Sequence, residues 1–159
     1  MHVQETTDPI RWNKFVESHT DANYFHLYEW KYCFEKTYGL ETVYFEVCNN
    51  NEVVGIFPLT LIGLKGISRR AISLPFCIYG GPLTFSEDIE TFLIKEAKRV
   101  LQTRFKNIEG IELRKIVTMG SQSGYVSMLR ELPDRSEVLW KSLRTKERNQ
   151  VRKAERSGL

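Results

Sequence analysis

The chain has 159 residues, of which 42% are hydrophobic and 27% charged, as in a folded globular domain and unlike a disordered segment. The net charge is +3, but residues 141–159 alone carry seven basic and two acidic side chains, which leaves −2 for residues 1–140. The first residues lack the basic and apolar regions of a signal peptide, and no apolar run has the length of a membrane span.

The first forty residues predict two helices rich in aromatic side chains. Asp8 before Pro9 is typical of a helix N-cap, and the apolar spacing that follows predicts a helix over 9–18. Aromatic residues at helical spacing up to Tyr38 predict a second helix, which Gly39 ends.

Three strands are predicted next, over 42–48, 53–62 and 68–74, and their short connections predict an antiparallel meander. The asparagines between the first two strands tolerate left-handed turn geometry. Gly55 and Pro58 lie inside the second strand and indicate a bulge or bend there.

The second half of the chain begins with its most regular helix, which Ser86 caps. Strands are predicted over 108–114 and 125–129. A helix capped by Asp134 follows, and a last helix starts near Thr145. The order α-α-β-β-β-α-β-β-α-α is that of an α/β (α+β) fold.

The common catalytic motifs are missing from the sequence. The three histidines lack ligand spacing, so no metal site is expected. There is no Gly-x-Ser-x-Gly elbow or Walker lysine, and no neighbour marks Ser73 as an activated nucleophile. Three widely spaced cysteines favour reduced thiols over disulfides or zinc, and we therefore expect a cytoplasmic protein.

A glycine pair lies between Tyr79 and Pro82. Gly80 and Gly81 allow the backbone to approach another group closely and to expose its N–H groups, which is a way of binding a substrate. A tight connection between a strand and a helix explains the same residues.

The end of the chain carries a basic stripe. Four arginines recur every four residues: Arg144, Arg148, Arg152 and Arg156. On a helix they follow one side, and their forked donors suit the phosphates of tRNA, a nucleotide diphosphate or a phospholipid surface. The alternative is a solvated helical face in which nearby glutamates form local pairs. Only Val151 and Ala154 offer this helix a core-facing side.

Five motifs together carry a family resemblance. In chain order they are Phe25-His26 with Trp30 and Tyr38-Gly39, Val54-Gly55-Ile56-Phe57-Pro58-Leu59, Ser73-Leu74-Pro75-Phe76 with Tyr79-Gly80-Gly81, Glu112-Leu113-Arg114, and Lys146-x-Arg148-x-x-Val151-Arg152-Lys153-Ala154. They resemble the FemAB-like (FemABX peptidyltransferase, GNAT-like) family, and within it the FemAB-related proteins of exosortase and PEP-CTERM systems.

The resemblance implies a GNAT-like domain with a mixed, largely antiparallel central sheet flanked by helices. Well-understood FemAB-like proteins have two such domains and transfer an amino acid from aminoacyl-tRNA to the peptide of a cell-wall precursor. By this resemblance, residues 1–140 form a first GNAT-like domain. Residues 141–159 form the basic helix that opens a second one, so we expect a truncated chain that is inactive alone.

The implied function is transfer of an acyl or aminoacyl group to an amine acceptor in cell-envelope or exopolysaccharide-related metabolism. No tightly bound cofactor is expected, and the donor is aminoacyl-tRNA in preference to acyl-CoA, since no glycine-rich pyrophosphate loop is present. The expected substrate-binding residues are Tyr79, Gly80, Gly81 and Lys36, and the expected phosphate contacts are Arg148, Arg152 and Lys153.

The chain departs from the family pattern after Trp30. Cell-wall members place a phosphate-contacting lysine four residues after the tryptophan that corresponds to Trp30, whereas this chain has Phe34 there and Lys36 two residues further on.

A different class of function is also compatible with the sequence: a non-catalytic binding domain whose basic helix holds tRNA, a nucleotide phosphate or a protein partner.

Overall fold

The computed structural model describes residues 1–115 and 131–158. The chain divides into two compact units, Met1–Thr118 and Met119–Leu159, each of which is described by itself. The strand expected over 125–129 lies outside the described residues. The assignment of residues 141–159 to a second GNAT-like domain stays a prediction.

The described part of the first unit holds three α-helices and six strands. In chain order they are β1 (His2–Glu5), α1 (Pro9–Ser18), α2 (Glu29–Tyr38), β2 (Glu41–Asn49), β3 (Glu52–Leu64), β4 (Ser68–Ile72), β5 (Leu83–Thr84), α3 (Glu87–Arg104) and β6 (Ile108–Glu112). The predicted helices and the meander are confirmed. The short strands β1 and β5 were not predicted, and β4 ends at Ile72, two residues earlier than expected.

Helix boundaries follow the capping residues that the sequence indicates. The Asp8 side chain accepts hydrogen bonds from two backbone N–H groups of the first turn of α1, at 3.0 Å each. Gly39 ends α2 in a left-handed conformation, with φ of 62°. Ser86 caps α3 by accepting a hydrogen bond from the backbone N–H of Ile89.

The six strands form one mixed sheet in the order β1-β2-β3-β4-β6, and β5 pairs with β3. All pairs are antiparallel except β4 with β6, which are parallel and connected through α3. A bulge interrupts the pairing of β2 and β3 beside Gly55, as predicted, whereas Pro58 pairs with Tyr44 in regular register.

Helices cover both faces of this sheet, so the central strands are buried on both faces. One core lies between the sheet and the helices α1 and α2, and includes Trp12, Phe15, Phe34, Tyr44 and Ile56. The other core lies between the sheet and α3, and includes Phe45, Phe57, Leu93, Ala97 and Leu101. Because successive side chains of a strand face opposite sides, Tyr44 and Phe45 contribute to different cores. The fold is a mixed, largely antiparallel sheet flanked by helices, as predicted.

The described part of the second unit holds two helices, α4 (Ser136–Ser142) and α5 (Thr145–Arg156). Neither of them contains a buried residue. The predicted cap at Asp134 is wrong: Arg135 is the extended residue before α4, and its side chain makes no capping hydrogen bond. Gly158 follows α5 with φ of 78°, the left-handed conformation that glycine commonly adopts after the end of a helix. Among the helices described in both units, none is long and apolar enough to cross a membrane.

Candidate functional site

The parallel pair β4 and β6 defines the candidate site. Their carboxyl ends lie side by side, because Ile72 pairs with Glu112 and α3 makes the crossover between the two strands. Ligands of open α/β sheets bind outside the carboxyl ends of parallel strands. We call the two segments that follow these ends, residues 73–82 and 113–115, the crossover site.

Three hydrogen bonds join the two segments of the crossover site. The backbone N–H of Ser73 donates to the carbonyl of Glu112 at 2.9 Å, and the N–H of Arg114 donates to the Ser73 hydroxyl at 2.7 Å. The Gly80 N–H donates to the carbonyl of Arg114 at 3.0 Å. The loop after β4 is therefore held against the end of β6.

This loop contains two strained residues. Leu74 and Phe76 have φ of 51° and 67°, on either side of Pro75. Left-handed backbone costs an L-residue roughly 1–2 kcal/mol. Leu74 is fully buried, whereas Phe76 is 75% exposed. Burial and the hydrogen bonds to β6 explain how Leu74 is held, whereas the Phe76 ring contacts the Tyr38 ring at the protein surface.

Gly80 is required by packing in the loop. Its φ is 158°, and a Cβ atom at this position would lie 2.5 Å from Leu74 Cδ1. A Cβ at Gly81 would lie 3.3 Å from the carbonyl oxygen of Arg114. The close approach that the glycine pair predicts is thus made to the protein's own loop and to the end of β6.

The nucleophile candidates of the crossover site are buried. Ser73 has no exposed surface, and its hydroxyl already accepts the Arg114 N–H. Burial raises the pKa of the Cys77 thiol to about 11, and the nearby Arg114 charge opposes this only in part. Both groups are therefore protonated at neutral pH, which fits direct attack by a substrate amine better than a covalent intermediate on either group.

Arg114 is the prominent charge of the site. One of its terminal nitrogens, Nη2, lies 2.7 Å from Glu112 Oε1, while its buried Nε has no hydrogen-bond partner among the described residues. Its side chain is 42% exposed. The Nε is buried out of reach of a ligand, but the exposed part of the side chain can bind a carboxylate or phosphate.

His26 connects the site to the first helices. It is buried, and burial lowers its pKa, while hydrogen bonds with the backbones of Gly81 and Asn23 oppose the change. The backbone N–H of Asn23 donates to its Nδ1 at 3.2 Å. His26 therefore ties the turn before α2 to the glycine pair.

The structure brings three of the four expected substrate-binding residues together. Half-buried Tyr79 and buried Gly80 and Gly81 lie in the crossover site, where the Gly80 N–H is already used. Lys36 lies on the last turn of α2, exposed, with its Nζ 5.8 Å from the Tyr32 ring. The binding role of all four residues stays a prediction.

The three expected phosphate contacts lie on α5, in the second unit. Arg148 is hydrogen-bonded to Thr145 at 3.5 Å, and the Arg152 guanidinium lies 5.6 Å from the centre of the Trp140 ring. Lys153 is exposed. Arg152 is thus stacked beside an aromatic ring, and phosphate binding by these residues stays a prediction.

Sequence reasoning missed Phe76 and Arg114 as site residues. Phe76 follows Leu74 and Pro75, and a residue before proline is normally extended, so the left-handed conformation of Leu74 that begins this turn was not foreseeable from local preference. Arg114 lies two residues after the end of β6, and its position near the carboxyl end of a strand was a usable signal once the parallel pairing was known.

No protein-family model and no curated protein matches this sequence. Among solved structures the chain is similar to FemX, at 15% identity and a TM-score of 0.50, over 67% of this chain and 25% of the FemX chain. It is also similar to a transcriptional regulator from Bacillus halodurans C-125, at 14% identity and a TM-score of 0.50, over 82% of this chain and 99% of that one. A GNAT family acetyltransferase from Staphylococcus aureus subsp. aureus USA300_TCH1516 gives a TM-score of 0.45 at 10% identity, over 84% of this chain and 97% of that one.

These comparisons define a class of fold. At such identities the first two similarities show a shared fold and nothing finer, and the chain spans only a quarter of FemX. The predicted GNAT-like fold class is confirmed.

Proposed function

We propose that the chain is part of a FemAB/GNAT-type acyltransferase, which moves an acyl or aminoacyl group to an amine acceptor in cell-envelope or exopolysaccharide-related metabolism. The observation that carries the proposal is the parallel crossover β4-α3-β6, which places a strained loop and Arg114 at one end of the sheet. The fold shared with FemX supports it. The proposed setting is the cytoplasm, with a second GNAT-like domain as partner.

The chemistry needs no nucleophile from the protein. The acceptor amine attacks the carbonyl carbon of the donor, the new C–N bond forms, and the bond to the donor oxygen or sulfur breaks as the amine loses a proton. Positioning of the two substrates and stabilisation of the oxyanion supply most of the acceleration in such a reaction. Buried, protonated Ser73 and Cys77 are consistent with this route.

The first turn of α3 favours aminoacyl-tRNA over acyl-CoA as the donor. Helix N-termini bind pyrophosphate when their N–H groups and positive dipole end are open. Here Ser86 occupies the Ile89 N–H, and the first turn carries Glu87, Asp88 and Glu90. Glu90 is paired with Lys115 at 2.7 Å, but Glu87 and Asp88 remain and disfavour a pyrophosphate at this position, so no tightly bound cofactor is proposed.

The test is a transfer assay with protein expressed from the whole reading frame. Bulk tRNA charged with labelled amino acids, or acetyl-CoA, is mixed with an amine such as Nα-acetyl-lysine amide, and amide product is measured by mass spectrometry. We expect product from charged tRNA. Gly80→Ala forces a Cβ atom against Leu74 and should lower the rate, whereas Gly110→Ala, with no atom within 4 Å of its Cβ, should not.

A non-catalytic binding domain is the second candidate, and the basic character of α5 favours it. The described residues of the second unit contain one ion pair, Arg135 with Glu137, which leaves the α5 arginines open to a partner such as tRNA, a nucleotide phosphate or an acidic protein. Salt-sensitive tRNA binding without transfer from either donor would support this candidate and refute the first.

A further inference from the structure

Two aromatic rings lie exposed and in contact beside the crossover site. Phe76 is 75% exposed and Tyr38, at the end of α2, is 58% exposed. Their ring centroids are 5.4 Å apart and their planes are inclined by 34°. Ile78, two residues after Phe76, is 63% exposed. Single exposed apolar side chains are common, but two touching rings that are both more than half exposed provide a surface for stacking.

The backbone holds Phe76 in this place at a cost. Its φ is 67°, and Leu74 on the other side of Pro75 is left-handed as well. Strained backbone persists where the surroundings enforce it, and it concentrates at functional sites. The buried side chain of Leu74 gives one reason for the turn. The Phe76 ring contacts Tyr38 but stays 75% exposed, so burial does not account for its strained backbone, and this favours a contact with a ligand.

A partly exposed cation, Arg114, lies in the segment after β6 that is hydrogen-bonded to this loop. The backbone of Arg114 is hydrogen-bonded to Ser73 and Gly80, and its charge acts on Cys77, the residue after Phe76. Its side chain is 42% exposed, so part of this cation can meet a ligand although its Nε is buried. An aromatic surface for a base together with a cation for a phosphate is the combination by which proteins bind nucleotides without reading their sequence.

We propose that Tyr38 and Phe76 stack on the adenine ring of the acyl donor, with Arg114 directed at one of its phosphates. This inference rests on the proposed acyl transfer, since aminoacyl-tRNA and acyl-CoA both carry a terminal adenosine. A purine covers a two-ring surface better than a pyrimidine does. The site therefore recognises the adenosine nucleotide that both donors share. Whether the donor is aminoacyl-tRNA or acyl-CoA depends on contacts with the rest of the donor molecule.

The experiment measures the binding of adenosine monophosphate and of uridine monophosphate by NMR titration. It uses the protein expressed from the whole reading frame, as in the transfer assay. We expect adenosine monophosphate to bind more tightly. Stacking on one aromatic side chain corresponds to roughly 5- to 150-fold in affinity, so Phe76→Ala should weaken binding by this factor. Phe76→Tyr, which keeps the ring, should restore it. Phe85→Ala is the matched control, because Phe85 is 60% exposed and stacks on His19 instead.

Competition then identifies the source of the nucleotide. Displacement of adenosine monophosphate by the trinucleotide CCA indicates the end of tRNA, and displacement by coenzyme A indicates acyl-CoA. Failure of both to compete, equal binding by wild type and Phe76→Ala, or binding of N-acetylglucosamine in place of the nucleotide would overturn the proposal.

Binding is measured without acyl transfer, so the two proposals can fail separately. If the protein binds adenosine monophosphate through Phe76 but transfers no acyl group, only the proposed function is refuted. If it transfers an acyl group but Phe76→Ala does not change nucleotide binding, only this site is refuted.

Discussion

Burial sets the chemistry of the three cysteine thiols. Cys33 is exposed, while Cys48 and Cys77 are buried. Burial raises the pKa of Cys77 to about 11, and burial with the charge of Glu46 raises the pKa of Cys48. A thiol with a pKa of about 11 is ionised in about one molecule per thousand at pH 8, and the thiolate is the reactive form.

We therefore predict a single fast-reacting thiol in the folded chain. With Ellman's reagent at about pH 8, one of the three thiols should react rapidly and the other two only on unfolding in urea. Cys33→Ser should abolish the fast phase, whereas Cys77→Ser should leave it in place. A second fast thiol in the native protein would show that the buried cysteines are more accessible than the structure describes.

His26 predicts a loss of stability in acid. Burial lowers its pKa below 6.5, so the folded state binds this proton less readily than the unfolded chain. Its contribution is therefore complete above pH 6.5 and is lost as the pH falls through that value towards the lowered pKa. Urea unfolding at about pH 7.5 and about pH 5 measures the change. His26→Gln should reduce the difference between the two conditions, with His2→Gln as the control for removal of an exposed imidazole.

At the scale of elements, replacing Gly39 by alanine tests the cost of a left-handed backbone without any steric clash. A Cβ atom at Gly39 or at Gly110 would have no atom within 4 Å, so neither substitution to alanine creates a clash. Gly39 has φ of 62°, which costs an L-residue roughly 1–2 kcal/mol. Gly110 lies in β6, and alanine there restricts the unfolded chain without this penalty.

Gly39→Ala should thus lower the free energy of unfolding by about 1 kcal/mol, and Gly110→Ala should leave it unchanged or slightly higher. Urea unfolding of both variants beside wild type measures the contrast. Equal losses in the two variants would mean that the end of α2 does not depend on the left-handed cap.

Local signals account for the elements that were predicted, and distant contacts account for those that were not. Asp8, Ser86 and Gly39 mark helix ends through hydrogen bonds or backbone angles within a few residues, which a sequence displays directly. The strands β1 and β5 have four and two residues, too few for a periodic pattern to appear.

The crossover site depends on partners far apart in the sequence. Ser73 and Arg114 are hydrogen-bonded across 41 positions, and Tyr38 at the end of α2 contacts Phe76 in the loop after β4. Leu74 before a proline is expected to be extended, and the bonds to β6 override that preference. The sequence therefore indicated the glycine pair of the site, but not the aromatic pair or the guanidinium beside it.

Over the whole molecule the charge is unevenly distributed. Residues 141–159 carry a net charge of +5, while the chain in total carries +3. The helix α5 contains most of these basic residues and, in its described range, no buried side chain. A helix with so little apolar surface gains little from packing, and its closely spaced cations repel one another. A polyanion bound along the basic side relieves that repulsion and releases counterions.

Bulk tRNA binding over a salt series tests whether α5 supplies this surface. If Arg148, Arg152 and Lys153 contact phosphates, replacing all three by alanine should weaken binding and reduce the slope of log K against log salt by about two. Lys95→Ala, Lys98→Ala and Lys106→Ala together form the control, because they remove the same charge from three exposed positions on or just after α3. An equal change of slope in the two triple variants would mean that tRNA responds to total charge, whereas a change confined to the first triple locates the phosphate contacts on α5.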